Sequence, residues 1–328
     1  MPTTILKNVP GMATATRVPV LPAGTLTESV FKNDYVANSR PCVVRGAVAH
    51  WPATRKWRDG EYLKRLCGSN EVHYWPHENF LTTRRNNPGL RRMPYADAVA
   101  LLHGANRHES GSIGCNPGTS AMAVDLRGFS FLGVGEPGFN YSSIRFFMFR
   151  NAGSTWHYHS FDETLMCQLV GNKRVGLLKV DNPWHPFLRN IFYSEDYYED
   201  PSVFEVIADA KLQWLFADLE DGDALYIPPL WWHGVAATSD RPGVTAPVVW
   251  RSPPHIIADG LRKMAAGNFE MIGDFIQDEL GNLLATARSL GLEREFEIAW
   301  KFGVANGLIA MTDHSGNRWA PTSSWPPV

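Results

Sequence analysis

"STWHYHSFDETLMCQLVGNKRV", residues 154 to 175, sets His157, His159, Asp162 and Glu163 close together, ahead of two apolar runs parted by Gly171 and Asn172. Side chains two apart along a strand share a face, so a strand through 157 and 159 would aim both imidazoles into one space. A third imidazole comes from "GDALYIPPLWWHGV", residues 222 to 235. There Gly222 and Asp223 predict a turn, an apolar strand follows, a double proline interrupts it, and His233 opens the next strand. Imidazole is the commonest transition-metal ligand, and three that converge leave positions open on an octahedral ion. A lone strand histidine is ordinarily a hydrogen-bonded core residue; the i, i+2 pair joined by His233 points to a metal site instead. The other histidines, from His50 to His314, lack such company and read as surface or structural.

The β character extends outward from this stretch. "IRFFMF", "TLMCQLV", "KRVGLLKV", "ALYIPP" and "VTAPVVW" are short apolar or alternating runs separated by Gly, Asp, Asn and Pro, the pattern of a barrel or sandwich. Before them, "PCVVRG" predicts a strand over Cys42 to Arg45, "DGEYLKRLCG" a short helix stopped by Gly68, and "PYADAVALLHG" a helix over Tyr95 to Leu102. Arg84, Arg85, Arg91 and Arg92 form a basic loop, read as a solvated surface rather than a nucleic-acid face. After residue 252, Phe275, Ile276, Leu280, Leu283, Leu284 and Ala287 repeat at helical spacing. The expected organisation is a mainly β chain: an N-terminal α/β flank over 1–140, a β core over 141–252 and a helical region over 253–328. No low-complexity linker parts them, so they are expected to pack together.

Net charge is −2 with 20% charged residues, which gives nucleic acid or a membrane surface no hold as the default partner. No run reaches the ~20 apolar residues of a membrane span. The first residues show no basic start followed by an apolar core, so no signal peptide is expected. Cys42, Cys67, Cys115 and Cys167 lie far apart without a CxxC pair, which reads as buried thiols in a reducing cytoplasm.

Together, "GSTWHYHSFDETLMCQLVGNKRVGLL" and "GDALYIPPLWWHGV" resemble the cupin-like JmjC group of Fe(II)- and 2-oxoglutarate-dependent oxygenases, and within it the asparaginyl hydroxylase of hypoxia-inducible factor. "RPCVVRGAVAHWPATRKW" looks like the strand and Trp-Pro turn ahead of the barrel in that group. The resemblance implies a double-stranded β-helix (cupin, jelly-roll) core. It places His157 on the family's first histidine, His233 on its distal histidine, and Lys173 on the lysine that pairs with the far carboxylate of 2-oxoglutarate. Ser154, Thr164 and Trp250 fall at further co-substrate or pocket positions. Where the family has an aspartate two residues after the first histidine, this chain has His159.

Three ligand sets follow. One is His157, His159 and His233. A second replaces the missing aspartate with Asp162. A third, the older cupin pattern, adds Glu163 to the three histidines. Iron in an octahedral site offers about six positions. A bidentate 2-oxo acid takes two and O2 one, so four protein ligands leave too few for 2-oxoglutarate with O2. Lys173 has a clear task only if a dicarboxylate binds. That favours three protein ligands, with Glu163 orienting one of them from behind.

The activity implied is Fe(II)- and 2-oxoglutarate-dependent hydroxylation of a C–H bond, with O2 consumed and succinate released. The substrate implied is a protein or peptide side chain, with a biosynthetic small molecule as rival. Two other readings stand beside it: a cupin dioxygenase or oxidase independent of 2-oxoglutarate, and a silent binding module. The C-terminal helices resemble a dimer-forming tail, so a homodimer is expected.

Overall fold

The structure, a computed structural model, describes residues 6, 12–77, 89–104, 108–132, 145–157, 163–179, 214–228, 231–250, 288, 311–312 and 318–319. Its contacts divide the chain into two compact units. The first comprises Met1–Lys179 and Ser194–Arg251, the second Val180–Tyr193 and Ser252–Val328.

In the first unit, two short strands, β1 (Thr16–Arg17) and β2 (Val20–Pro22), lead to β3 (Cys42–Arg45). Two helices follow, α1 (Pro52–Lys56) and α2 (Gly60–Cys67). Asp59 caps α2 by accepting from the Glu61 N–H at 3.0 Å, and Gly68, at φ +70°, ends it as the sequence predicts. Then come β4 (Glu71–Trp75), β5 (Arg91–Pro94), α3 (Tyr95–His103) and β6 (Gly111–Pro117). Arg91 and Arg92 therefore lie in a strand rather than the expected loop. Pairing with β4 satisfies their backbone, and Arg92 meets Glu71 at 2.7 Å.

The core strands are β7 (Arg145–Arg150), β8 (Gly153–His157), β9 (Glu163–Val170), β10 (Lys173–Lys179), β11 (Trp214–Leu219), β12 (Ala224–Ile227), β13 (Trp231–Ala237) and β14 (Gly243–Trp250). They divide four and four. One sheet runs β1-β11-β10-β13-β8; the other runs β2-β3-β12-β9-β14-β7-β6-β4-β5. Apart from β10 to β11, each successive core strand changes sheet, so the chain winds around a shared interior as a double-stranded β-helix does. His233 is the third residue of β13, not its first, because the strand already begins at Trp231.

Two apolar clusters flank the larger sheet. Between the sheets lie Val43, Val175, Leu177, Ala217, Leu225, Ile227 and Val235. On the far face of the larger sheet, the N-terminal elements bury Phe31, Trp51, Trp57, Leu63, Leu165, Cys167 and Tyr226. Each large aromatic buried there removes roughly 150–250 Å² from water, on the order of 4–6 kcal/mol before entropy is counted. Cys42, Cys67 and Cys167 are buried free thiols, as expected.

In the second unit the described residues include a two-stranded ladder, β15 (Met311–Thr312) with β16 (Arg318–Trp319), and Arg288 in a helical conformation. The remaining helical positions expected there, Phe275 to Ala287, lie outside the described residues. Among the described residues no helix is long and apolar enough to cross a membrane.

Candidate metal centre

Strand alternation decides which residues share the interior. On β9, Thr164, Met166 and Gln168 stand opposite Ile227, Leu225 and Thr245, whereas Glu163, Leu165 and Cys167 belong to the other face. On β10, Lys173, Val175 and Leu177 line one face, and their partners on β13 are Ala237, Val235 and His233. Val175, Leu177 and Val235 all belong to the inter-sheet cluster, so Lys173 and His233 project from the smaller sheet into the same space. Four strand positions separate their registers, roughly 13 Å along the strand.

His233 also stands opposite His157 on β8. The next pair is Val235 with Ser154, so three steps on β8 match two on β13. This bulge sets both Ser154 and His157 opposite residues of one face of β13, which regular alternation would not allow. Gly153 makes the close approach possible, because a Cβ there would collide with the carbonyl of Val235. His233 is 1% exposed, and its Nδ1–H donates to the carbonyl of Trp231 at 3.0 Å. A carbonyl can only accept, so the proton sits on Nδ1 and the lone pair on Nε2.

Lys173 is buried, with Nζ donating to Thr245 Oγ1 on the opposite sheet at 2.5 Å and lying 4.6 Å from the Phe149 ring centroid. Thr245 Oγ1 in turn donates to Gln168 Oε1 at 2.9 Å. Among the described residues no carboxylate pairs with Lys173, and burial pushes its ammonium down to about 7. The turn that places it is Gly171, whose φ of +85° and approach to Gly243 exclude a side chain. Desolvating a lysine without a counter-ion is costly.

Glu163 is 0% exposed and accepts a hydrogen bond from Tyr226 OH at 2.5 Å. Desolvation and the adjacent carboxylate raise the Tyr226 phenol well above its usual range, so it stays the donor. Trp250, in register with Glu163, stacks near Tyr226 at 6.2 Å between ring centroids. Both residues belong to the face turned toward Phe31 and the N-terminal elements. The structure thus brings Ser154, Thr164, Lys173 and His233 to the inner faces and sets Glu163 and Trp250 on the other. His159 and Asp162 lie outside the described residues, as does the side chain of His157. Sequence reasoning missed Thr245 and Gln168; the available signal was two polar residues on one face of β9, Thr164 and Gln168, four positions apart amid apolar neighbours.

This winding, with His233 and a buried lysine in one interior, agrees with the match of residues 27–256 to the cupin-like domain family. The chain belongs to that family. The chain is 26% identical over 226 residues to the lysine-specific demethylase JMJ30 of Arabidopsis thaliana, covering 62% of this chain and 49% of the relative. It is 25% identical over 263 residues to the Jumonji C domain-containing protein 5 of Drosophila melanogaster, covering 71% and 59%. To the human bifunctional peptidase and (3S)-lysyl hydroxylase JMJD7 it is 23% identical over 242 residues, covering 62% and 76%. The matched regions thus span about half to three fifths of the length of the first two.

Proposed function

We propose that this cupin-like domain is an Fe(II)- and 2-oxoglutarate-dependent oxygenase that hydroxylates a C–H bond of a protein or peptide side chain. The observation that carries the reading is the buried ammonium of Lys173 on the same inner face as His233, itself in register with His157. An unpaired interior cation fits the far carboxylate of a diacid, and an imidazole pair on adjacent strands fits one end of a metal site. The names of the relatives, lysine demethylase and lysyl hydroxylase, support the oxygenase class and a protein substrate. The likeness of the "GNKRV" and distal-histidine motifs to the asparaginyl hydroxylase of hypoxia-inducible factor supports the same class.

The residues fit the metal. His233 offers Nε2 with its tautomer fixed from behind by Trp231, the arrangement that orients a ligating imidazole. His157 and His159 complete the proposed set, with Asp162 as the substitute carboxylate. The outward face of Glu163 and its hydrogen bond from Tyr226 support leaving it out of that set. Fe(II) held there would supply the redox chemistry that couples decarboxylation of the 2-oxo acid to oxidation of the substrate. The chain does the rest. Lys173 binds and aligns the diacid through a charge-assisted contact. Val175, Leu177, Leu225 and Ile227 keep the interior dry, which strengthens that contact. His233 holds its proton on Nδ1 throughout.

Release of labelled CO2 from C1 of 2-oxoglutarate, with Fe(II) and O2, tests the proposal. Turnover that needs 2-oxoglutarate and yields succinate supports it. Oxidation that proceeds without the diacid overturns it and favours the cupin oxidase.

A further inference from the structure

We propose that Gln168 is a positioning residue: through the Thr245 hydroxyl, it fixes the direction in which the Lys173 ammonium is held and aims it at a diacid. The first half rests on geometry alone; the consequence for a diacid rests on the function proposed above.

The chain of hydrogen bonds has only one polarity. Gln168, 0% exposed, donates from Nε2 to the carbonyls of Val170 at 2.6 Å and Gly171 at 3.0 Å. Both partners can only accept, so the amide cannot be flipped and Oε1 must be the atom that meets Thr245. The Thr245 hydroxyl has a single proton and gives it to Gln168 Oε1 at 2.9 Å. Its oxygen is then left to accept, and the partner at 2.5 Å is Lys173 Nζ. Lys173 is thereby the donor.

The base of this relay is rigid. The Gln168 backbone N–H donates to the carbonyl of Asp223 at 2.8 Å, and its carbonyl accepts from Gly222 at 2.7 Å. Asp223 is itself buried and held by Arg45 and by the Gly46 N–H at 3.0 Å. Of the three ammonium protons, one is committed to Thr245 and one is directed at Met166 Sδ at 4.0 Å, while the Phe149 ring covers another side.

Charge makes the polarity matter. The strands packed around Lys173 carry Met166 and Gln168 on β9, Thr245 on β14, Phe149 on β7, Leu219 on β11 and Ala237 on β13 toward it. Alternation puts Arg145 of β7 and His233 of β13 farther along the same faces; among the described residues these faces carry no carboxylate. Burial alone already brings Lys173 close to losing its proton. With the Gln168 acceptor removed, the Thr245 hydroxyl is free to turn and donate to a neutral amine. The relay blocks that alternative.

The test uses the full chain with Gln168→Leu, Thr245→Val and Thr245→Ser. In the metal-free protein, carbon NMR of labelled lysine follows the titration of Lys173, assigned with Lys173→Arg. In the Mn(II)-loaded protein, calorimetry compares 2-oxoglutarate with 2-oxobutyrate, a 2-oxo acid lacking the far carboxylate. Gln168→Leu and Thr245→Val should lower the Lys173 titration midpoint and weaken 2-oxoglutarate about tenfold near neutral pH. Binding of 2-oxobutyrate should stay within about twofold, and Thr245→Ser should restore both readouts. A midpoint unmoved by Gln168→Leu, or equal weakening of the two acids, overturns the proposal. If Gln168→Leu does not fold, the Thr245→Val and Thr245→Ser pair makes the same comparison. Should the wild type show no preference for the diacid while the midpoint shifts as stated, the relay stands and the oxygenase reading fails.

Discussion

His157 and His233 are register partners on adjacent antiparallel strands, joined across a bulge that also sets Ser154 opposite Val235. Two potential ligands from sequence positions 76 apart are thus placed by backbone pairing rather than by a loop. Sites built on strands hold their geometry more closely than sites on loops. His233→Ala should therefore weaken Mn(II) binding by at least about a hundredfold while leaving the strands paired. Metal-dependent thermal stabilisation, compared between variant and wild type, reads this directly.

Gly153→Ala attacks the same pair from the backbone side. The added Cβ meets the Val235 carbonyl, and neither strand can yield without breaking the β8–β13 ladder. A loss of about 3 kcal/mol in urea denaturation is expected, accompanied by weaker metal binding.

Lys173 gives the protein a pH signature. Its folded pKa, depressed by burial to about 7, lies below the value of about 10.4 for an exposed lysine. Between these the unfolded chain binds more protons, so stability of the ligand-free protein rises with pH across that window and is lost as pH falls through 7. Denaturant midpoints from acid to alkaline buffer should show this slope in wild type and not in Lys173→Met. Diacid binding runs the other way. It needs the ammonium, so affinity for 2-oxoglutarate should fall about tenfold per pH unit above the Lys173 titration.

Glu163→Gln separates the three-ligand reading from the four-ligand one. With Glu163 on the outer face, the substitution should leave Mn(II) affinity within about threefold. A loss comparable to that of His233→Ala would restore the carboxylate to the ligand set. Tyr226→Phe should cost about 1–3 kcal/mol, because it removes a hydrogen bond to a buried carboxylate.

Much of this was legible in the sequence where local signals agree with the fold. The Cys42–Arg45 strand, the helix closed by Gly68 and the Asp223 turn follow from β-branched runs and glycine positions. The strands β5 and β6 were not legible. "RRMP" and "GSIGCNP" have weak β propensity, and cross-strand pairing makes them strands. The site divides along the same line. Spacing singled out His157 and His233 as candidates, and the family resemblance alone singled out Lys173. The faces of Glu163 and Trp250 depend on the register between β9, β12 and β14 within the larger sheet, which no single stretch encodes. Thr245 and Gln168 went unseen because a relay across two sheets leaves no spacing pattern.

The most direct measurement is an anaerobic crystal structure with Mn(II) and 2-oxoglutarate. The account predicts the metal on Nε2 of His233 with His157 beside it, and the far carboxylate of the diacid within hydrogen-bond distance of Lys173 Nζ. A metal held elsewhere, or a diacid that leaves Lys173 untouched, would contradict it.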